Sequence, residues 1–268
     1  MNPVKEVDIE FDLDWNDDDV VPPNVTPDLI FLFDRMIEAT IDEIDPLKGD
    51  AILDIGCGRA VDAIKIAQKG GKPVGLEPSK TMLRHCKNCV AESGTSVVLI
   101  QGIGETLPFK ENTFDWVMCK GAMDHFPDPY KTMEEISRVL KPNGKAVISI
   151  ANFESLGHRL GRRVHYLTGF LPRKEPNKRQ AWETPPDHTY RFDYPLIKQV
   201  LSSHMDIEEA KGISFLWGAP FWDKILSIPP RSVSFFILSV LDKLARRLPG
   251  LSDVILVKCR QKSAHTQV

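Results

Sequence analysis

The chain has 268 residues, of which 42% are hydrophobic and 26% charged, and its formal net charge is −3. This balance supports a large buried core and excludes a low-hydrophobicity disordered chain and a globally basic nucleic-acid binder. Five cysteines, an odd number, behind an acidic and non-apolar start lead us to expect free thiols in a reducing cytoplasm, and no apolar run approaches the ~20 residues that span a bilayer.

In chain order, residues 1–47 read as an acidic arm followed by a helix. Residues 1–50 hold 15 Asp+Glu against 3 Lys+Arg, and the first 25 have no helical or strand period. Thr26 then Pro27 is an N-cap followed by a residue suited to the first turn. Ile30, Phe33, Ile37, Ile41 and Ile44 recur at helical spacing, which predicts an amphipathic helix over Pro27–Ile44.

From Ala51 strand and helix patterns alternate. Strands are predicted at Ala51–Ile55, Pro73–Glu77, Ser96–Gln101, Phe114–Lys120 and Lys145–Ile150, with helices at Arg59–Lys69, Ser79–Glu92 and Tyr130–Leu140. "KPNG" at 141–144 reads as a helix stop plus turn. The βα repetition predicts an α/β core over residues 48–152, a Rossmann-like doubly wound sheet with helices on both faces.

The rhythm then breaks. Residues 153–191 form a basic insert, read as an irregular lid; 154–191 hold 8 Lys+Arg against 4 Asp+Glu. Residues 192–260 return to the core, with a helix at Asp193–His204 and strands at Asp206–Ser214 and Asp253–Cys259, and 261–268 is a tail. Within this part, 219–250 is a second, helical insert. Its Val233, Phe236, Ile237, Val240, Leu241, Leu244 and Leu248 share one side, and basic residues follow. Burial between cap and core is the first reading of that helix. Peripheral contact with a membrane surface is the second.

The chemistry begins at "AILDIGCGRAVDAIKIAQKGGKPVGLEPSKTML". Gly56 and Gly58 let the chain turn tightly and approach a ligand with no Cβ in the way, and the following helix offers unpaired N–H groups. Glu77, at the end of the second strand, suits the two hydroxyls of an adenosine ribose. A dinucleotide site would want a third glycine at Val61 and no acid before the turn. Asp54 stands there instead, and it suits the α-ammonium of a methionine moiety while repelling a pyrophosphate. Both departures favour S-adenosylmethionine over a dinucleotide, and a methyltransferase over a dehydrogenase. Cys86 and Cys89 form a lone CxxC in a helical pattern with no second pair, so no metal site is expected.

"LDIGCG", "GLEPSKTML", "QGIGETLPFKENTFDWVMCK" and "EEISRVLKPNGKAVIS" resemble the class I S-adenosylmethionine-dependent methyltransferases, and within them the ubiquinone/menaquinone biosynthesis group. The resemblance covers about residues 51–152. It implies a seven-stranded sheet with the last strand antiparallel. It places Gly56, Cys57 and Gly58 at the methionine and ribose end, Glu77 on the ribose, and Pro78 and Met82 along the adenine. Ile103, Gly104 and Glu105 would follow the adenine edge, and Lys120 and Gly121 the methionine. Ile103 departs from the family pattern, which often has an Asp accepting from the adenine amino group; Glu105 could replace it or only brace the loop. Lys120 is unusual too, since a cation there opposes the sulfonium unless Asp124 or Asp54 offsets it.

Methyl transfer needs alignment first, and a base only if the acceptor must lose a proton. Asp124 and His125 follow the fourth strand, and His188 and Tyr190 lie in "DHTYRF" before the last helix of the core; these four are the candidate catalytic groups. His165 and Tyr166 in the basic insert are a weaker set. Aromatic residues in both inserts suit a flat or greasy acceptor. The expected activity is methyl transfer to a small-molecule acceptor that is lipid-like, quinone-like or a glycolipid. An RNA or protein acceptor using the basic insert is one alternative, although the net charge makes nucleic acid a poor partner. A non-catalytic cofactor-binding partner subunit is another. Oligomeric state is not legible.

Overall fold

A computed structural model of the chain describes residues 25–168, 182–185 and 187–262. The expected irregular arm at 1–24, the basic stretch 169–181 of the first insert and the end of the tail lie outside the described residues. The seven strands are β1 (Ala51–Ile55), β2 (Lys72–Glu77), β3 (Val98–Gln101), β4 (Phe114–Lys120), β5 (Leu140–Ala151), β6 (Met205–Ile213) and β7 (Val254–Gln261). They form one sheet in the order β3-β2-β1-β4-β5-β7-β6. Among the described strands β7 alone runs opposite to the other six. This is the expected doubly wound arrangement. Strand order reverses between β1 and β4, the switch point at which open α/β sheets bind ligands.

Helices α1 (Pro27–Ile44), α2 (Val61–Gln68) and α3 (Lys80–Ser93) lie on one side of the sheet, and α4 (Pro129–Val139) and α6 (Tyr194–His204) on the other. Strands covered on both faces need apolar residues at successive positions, and Ile52, Leu53 and Ile55 of β1 are all buried. Their side chains divide between two cores: Leu53 and Ile55 pack with Met133 and Ile197, and Ile52 packs with Met36 and Ile66. Ser79 caps α3 by accepting from Met82 N at 3.1 Å, as its sequence position predicts. Asp128 and Asp193 cap α4 and α6 in the same way.

Three expectations change. α1 has the expected bounds, and Ile41 and Ile44 of the predicted row are buried, but Phe33 is exposed and Leu29, Phe31, Leu32 and Met36 are buried instead. The helix is covered both by the sheet and by the second insert, where the Phe31 ring meets that of Phe235 at 5.8 Å, so its covered face is wider than the predicted row. The first insert is not wholly irregular: α5 spans Leu156–Thr168. It escapes a periodicity reading because its inner face is Gly157, His158 and Gly161. Those glycines permit close approach. A Cβ on Gly157 would lie 2.2 Å from the Trp217 carbonyl oxygen, and one on Gly161 would lie 2.2 Å from the Trp182 ring. Finally, "KPNG" falls inside β5, where its residues leave the register between the Phe114–Leu140 and Trp116–Lys145 pairings.

The second insert contains α7 (Trp222–Ser227) and α8 (Arg231–Ala245). Its one-sided apolar helix is not buried between cap and core. Leu238 and Ala245 face inward, but Val233, Phe236, Ile237, Val240, Leu244 and Leu248 are exposed. The aromatic residues of this part divide likewise: Phe215 is buried, Phe221 and Phe236 are exposed. Both inserts leave the sheet at the carboxyl ends of the parallel strands, after β5 and after β6.

Candidate active site

The turn after β1 supplies the cradle. Gly56 and Gly58 adopt φ of 70° and 53°, in the left-handed region where a side chain is strained. A Cβ on Gly56 would also come within 2.5 Å of the Ala122 Cβ. Beneath them Cys57 is buried with its Sγ 3.8 Å from Cys86 Sγ, and Cys86 donates to the Gly58 carbonyl. The five cysteines are free. The neighbouring Cys86 thiol and burial raise the Cys57 pKa, which favours the protonated thiol.

Glu77 is buried at the end of β2. Its Oε2 accepts from Gly58 N at 3.1 Å and its Oε1 from Ser79 N at 3.0 Å. Burial raises its pKa, and those two backbone donors oppose the rise. The carboxylate is thus locked between the glycine turn and the start of α3. Met82 is buried beside the turn, and Pro78 is half-buried.

Asp54 is buried at the centre. Desolvation, then the nearby Asp62, push its pKa well above the usual carboxylate range, and Lys120 opposes them. Lys120 does not turn outward: its Nζ pairs with Asp62 Oδ2 at 3.0 Å. The pair places a neutralised cation at the methionine end, which answers the difficulty of a lysine near a sulfonium. Gly121 follows with φ of 62°, under Met36 of α1.

Ile103 is half-buried and Gly104 packs against Phe126 and Thr132. Glu105 braces the loop before α4, its Oε1 accepting from Asp128 N at 3.2 Å. Its Oε2 is buried without a hydrogen-bond partner, as is Asp54 Oδ2. Buried carboxylate oxygens left in this state are costly unless a ligand supplies donors. An α-ammonium at Asp54 and an adenine amino group at Glu105 would supply them. The residues present therefore fit S-adenosylmethionine.

The two catalytic candidate clusters, far apart in sequence, meet at the end of β4. Asp124 and His125 form a short 3₁₀ turn with Met123. The Asp124 carbonyl accepts from Thr189 N at 2.8 Å and Tyr190 N at 3.2 Å, which pins "DHTYRF" onto that turn. His188 Nδ1 lies 3.2 Å from Asp124 Oδ2. His125 Nε2 lies 3.9 Å from Asp124 Oδ1, and its Nδ1 lies 3.4 Å from Asp187 Oδ2. The two imidazoles meet edge to face at 4.5 Å. One ligand atom each from Asp124, His125 and His188 lies within 4.8 Å of the others, a spacing that could also hold a divalent cation; composition and spacing did not indicate this. Tyr190 takes part through its backbone. Its ring packs on Phe192 at 5.8 Å, and burial raises its phenol pKa.

His158 was not singled out from the sequence, because a lone histidine in an arginine-rich stretch carries no pattern. It is buried between Phe153 at 5.9 Å and Trp217 at 5.5 Å, and Phe153 meets His188 at 5.6 Å. Burial, with Arg162 and Arg191 nearby, lowers its pKa to about 4, and a backbone contact with Phe153 opposes the fall. A neutral imidazole thus sits in an apolar wall beside the Asp124–His188 pair. Below it, burial raises the pKa of Asp253, which accepts from Trp217 N, to about 8. His165 and Tyr166 belong elsewhere, at an open cavity of about 630 Å³ that Arg162, Trp182 and Arg191 also line.

A Rossmann-like sheet with a glycine turn, a buried acid at the end of β2 and a second buried acid, Asp54, at the switch point is an arrangement that suits a nucleoside cofactor. Comparison narrows it. Residues 53–148 match the family model described as "Methyltransferase domain". The chain is 30% identical over 139 residues to a ubiquinone biosynthesis O-methyltransferase of Paracidovorax citrulli, which covers 50% of this chain and 57% of that protein. It is 36% identical over 112 residues to a demethylmenaquinone methyltransferase of Anoxybacillus flavithermus, covering 40% and 47%. The chain thus spans about half the length of the curated relatives it matches. The YcgJ protein of Bacillus subtilis superposes with a TM-score of 0.56 at 19% identity, over 86% of this chain and all of that one. Residues 53–148 thus resemble class I S-adenosylmethionine-dependent methyltransferase domains, those of quinone biosynthesis among them, and S-adenosylmethionine is the cofactor that this resemblance implies.

Proposed function

We propose that this protein methylates a hydroxyl of a small, lipid-like or quinone-like acceptor. The observation that carries the reading is the meeting of Asp124 and His188 beside the cradle, walled by Phe153, His158 and Trp217. Similarity to methyltransferases of quinone biosynthesis supports the acceptor class.

Bound S-adenosylmethionine would supply a methyl group activated by its sulfonium. The chain's own residues do the rest. Asp54, Glu77 and Glu105 would hold the donor by its ammonium, ribose and adenine, and the glycine turn would let backbone approach it. Alignment of acceptor and methyl at near-attack distance is the main catalytic term. A hydroxyl acceptor must also lose its proton. The Asp124 carboxylate lies 3.2 Å from His188 Nδ1, so His188 Nε2 would take that proton and the carboxylate would stabilise the imidazolium that results. His125, held between Asp187 and Asp124, supports this pair from the side. The neutral His158 can donate or accept one hydrogen bond to a polar group of the acceptor in an otherwise apolar wall.

The test is transfer of labelled methyl from S-adenosylmethionine into an extract of the host, separated into lipid, small-molecule, RNA and protein fractions. The reading expects label in the lipid or small-molecule fraction, in a base-stable ether. Label confined to RNA or protein would overturn it.

A further inference from the structure

The outer face of α7 and α8 is unusually apolar for a surface. Ile228 is 84% exposed, Phe236 69% and Phe221 65%, and Ile225, Val240 and Leu244 are exposed with them. On α8 the exposed apolar residues recur at three- and four-residue spacing and so form one stripe. The opposite face is fixed to the protein. Leu226 and Leu238 pack on Phe31, and Asp242 pairs with Arg35 and accepts from Ser214 N. The outward stripe is therefore a set orientation and not a fraying end. Contiguous exposed apolar surface of this kind marks an interaction site.

Charge selects the occupant. Lys224 lies on α7 beside it, and Lys243, Arg246 and Arg247 gather at its carboxyl end, all exposed. Asp223 is the exposed acid of these two helices; the other acid, Asp242, is buried beneath Arg35 and Arg246. An apolar arc edged by cations and held parallel to a surface is the pattern of an interfacial helix on an anionic bilayer. A second copy of this chain would bring the same cations against one another. The insert leaves the sheet after β6, at the same carboxyl end of the parallel strands as the Asp124 turn that follows β4.

We propose that the α7–α8 face docks on an anionic lipid bilayer, with the apolar stripe in the headgroup region and these cations against lipid phosphates. Docking would turn that end of the sheet toward the phase in which a lipid-like acceptor dissolves. This last step rests on the acceptor reading above, whereas the docking itself does not.

The experiment is co-sedimentation of the full chain with vesicles of phosphatidylcholine alone and of an equal mixture with phosphatidylglycerol. It is repeated with Phe236→Ser/Leu244→Ser and with Lys243→Glu/Arg247→Glu. All four positions are exposed, and S-adenosylmethionine binding serves as the folding control. The expected result is binding to the mixed vesicles, weakened at least ~10-fold by either double variant and by removing the anionic lipid. Absence of binding to mixed vesicles, or equal binding by all variants, would overturn the proposal. So would a dimer in sedimentation equilibrium that Phe236→Ser/Leu244→Ser dissociates. Methyl transfer is not read in this assay, so its outcome is separate from that of the acceptor test.

Discussion

Replacing Glu77 by alanine tests the cofactor reading at its most specified point. The carboxylate is 4% exposed and held by Gly58 N and Ser79 N. Two ribose hydroxyls donating to it would contribute ~1.5–3 kcal/mol each, or ~3–6 together. Part of this is returned, because alanine also removes the cost of burying a carboxylate whose pKa is already raised. A net loss of ~2–4 kcal/mol corresponds to roughly 30- to 1,000-fold weaker binding. Glu77→Gln keeps the volume and one acceptor oxygen, and is expected to lose roughly 10-fold. Titration calorimetry with S-adenosylmethionine reads both. Because Gly58 and Ser79 lose an acceptor, the alanine variant should also melt a few degrees lower, by about 1 kcal/mol of stability per backbone hydrogen bond. A folded alanine variant that binds within about 3-fold of the native protein would refute the assignment of Glu77 to the ribose, since one weak hydrogen bond would account for so little.

Three further expectations follow from the site. His188→Ala should lower turnover by ~10²–10⁴ with cofactor affinity unchanged, and Asp124→Asn should lower it too, by misorienting His188; stopped-time assays with calorimetry separate the two effects. His158 has a folded pKa of about 4 against 6.5 for the free group. The folded protein therefore binds fewer protons than the unfolded chain between those values. The associated stability is complete above pH 6.5 and lost as pH falls toward 4, by about 3 kcal/mol. His158→Phe should flatten that part of a pH series of urea melts, and an unchanged slope would count against a buried neutral imidazole. Gly157→Ala should destabilise the fold although alanine favours helix by ~1 kcal/mol, because its Cβ would lie 2.2 Å from a backbone carbonyl oxygen; a raised Tm would show that the α5–Trp217 contact is looser than described.

The parts that were legible in the sequence share a local signal. Apolar strands alternating with amphipathic helices announced the sheet, and Gly56, Gly58 and Glu77 announced the cradle, because each feature is written within a few neighbouring residues. Asp124 and His188 were readable as residues but not as a pair; the backbone bonds from Thr189 and Tyr190 to the Asp124 carbonyl join them. α5 was missed because its buried face is made of glycines and a histidine, which tertiary contact requires and helical periodicity does not register. The outward face of α8 was misread because an apolar stripe in a sequence does not say which side is covered. Here Leu238 and Asp242 are the inward anchors, and the larger stripe faces out.

The central claim is that this chain moves a methyl group from S-adenosylmethionine to a hydroxyl of a lipid-like acceptor. Its most direct test is release of S-adenosylhomocysteine by the purified protein given the host lipid extract, followed by mass spectrometry of the products. The account predicts equimolar S-adenosylhomocysteine and an O-methylated lipid, both abolished in Glu77→Ala and sharply reduced in His188→Ala. Cofactor binding with no S-adenosylhomocysteine from any fraction of the extract would contradict it and would leave a cofactor-binding protein without methyltransferase activity.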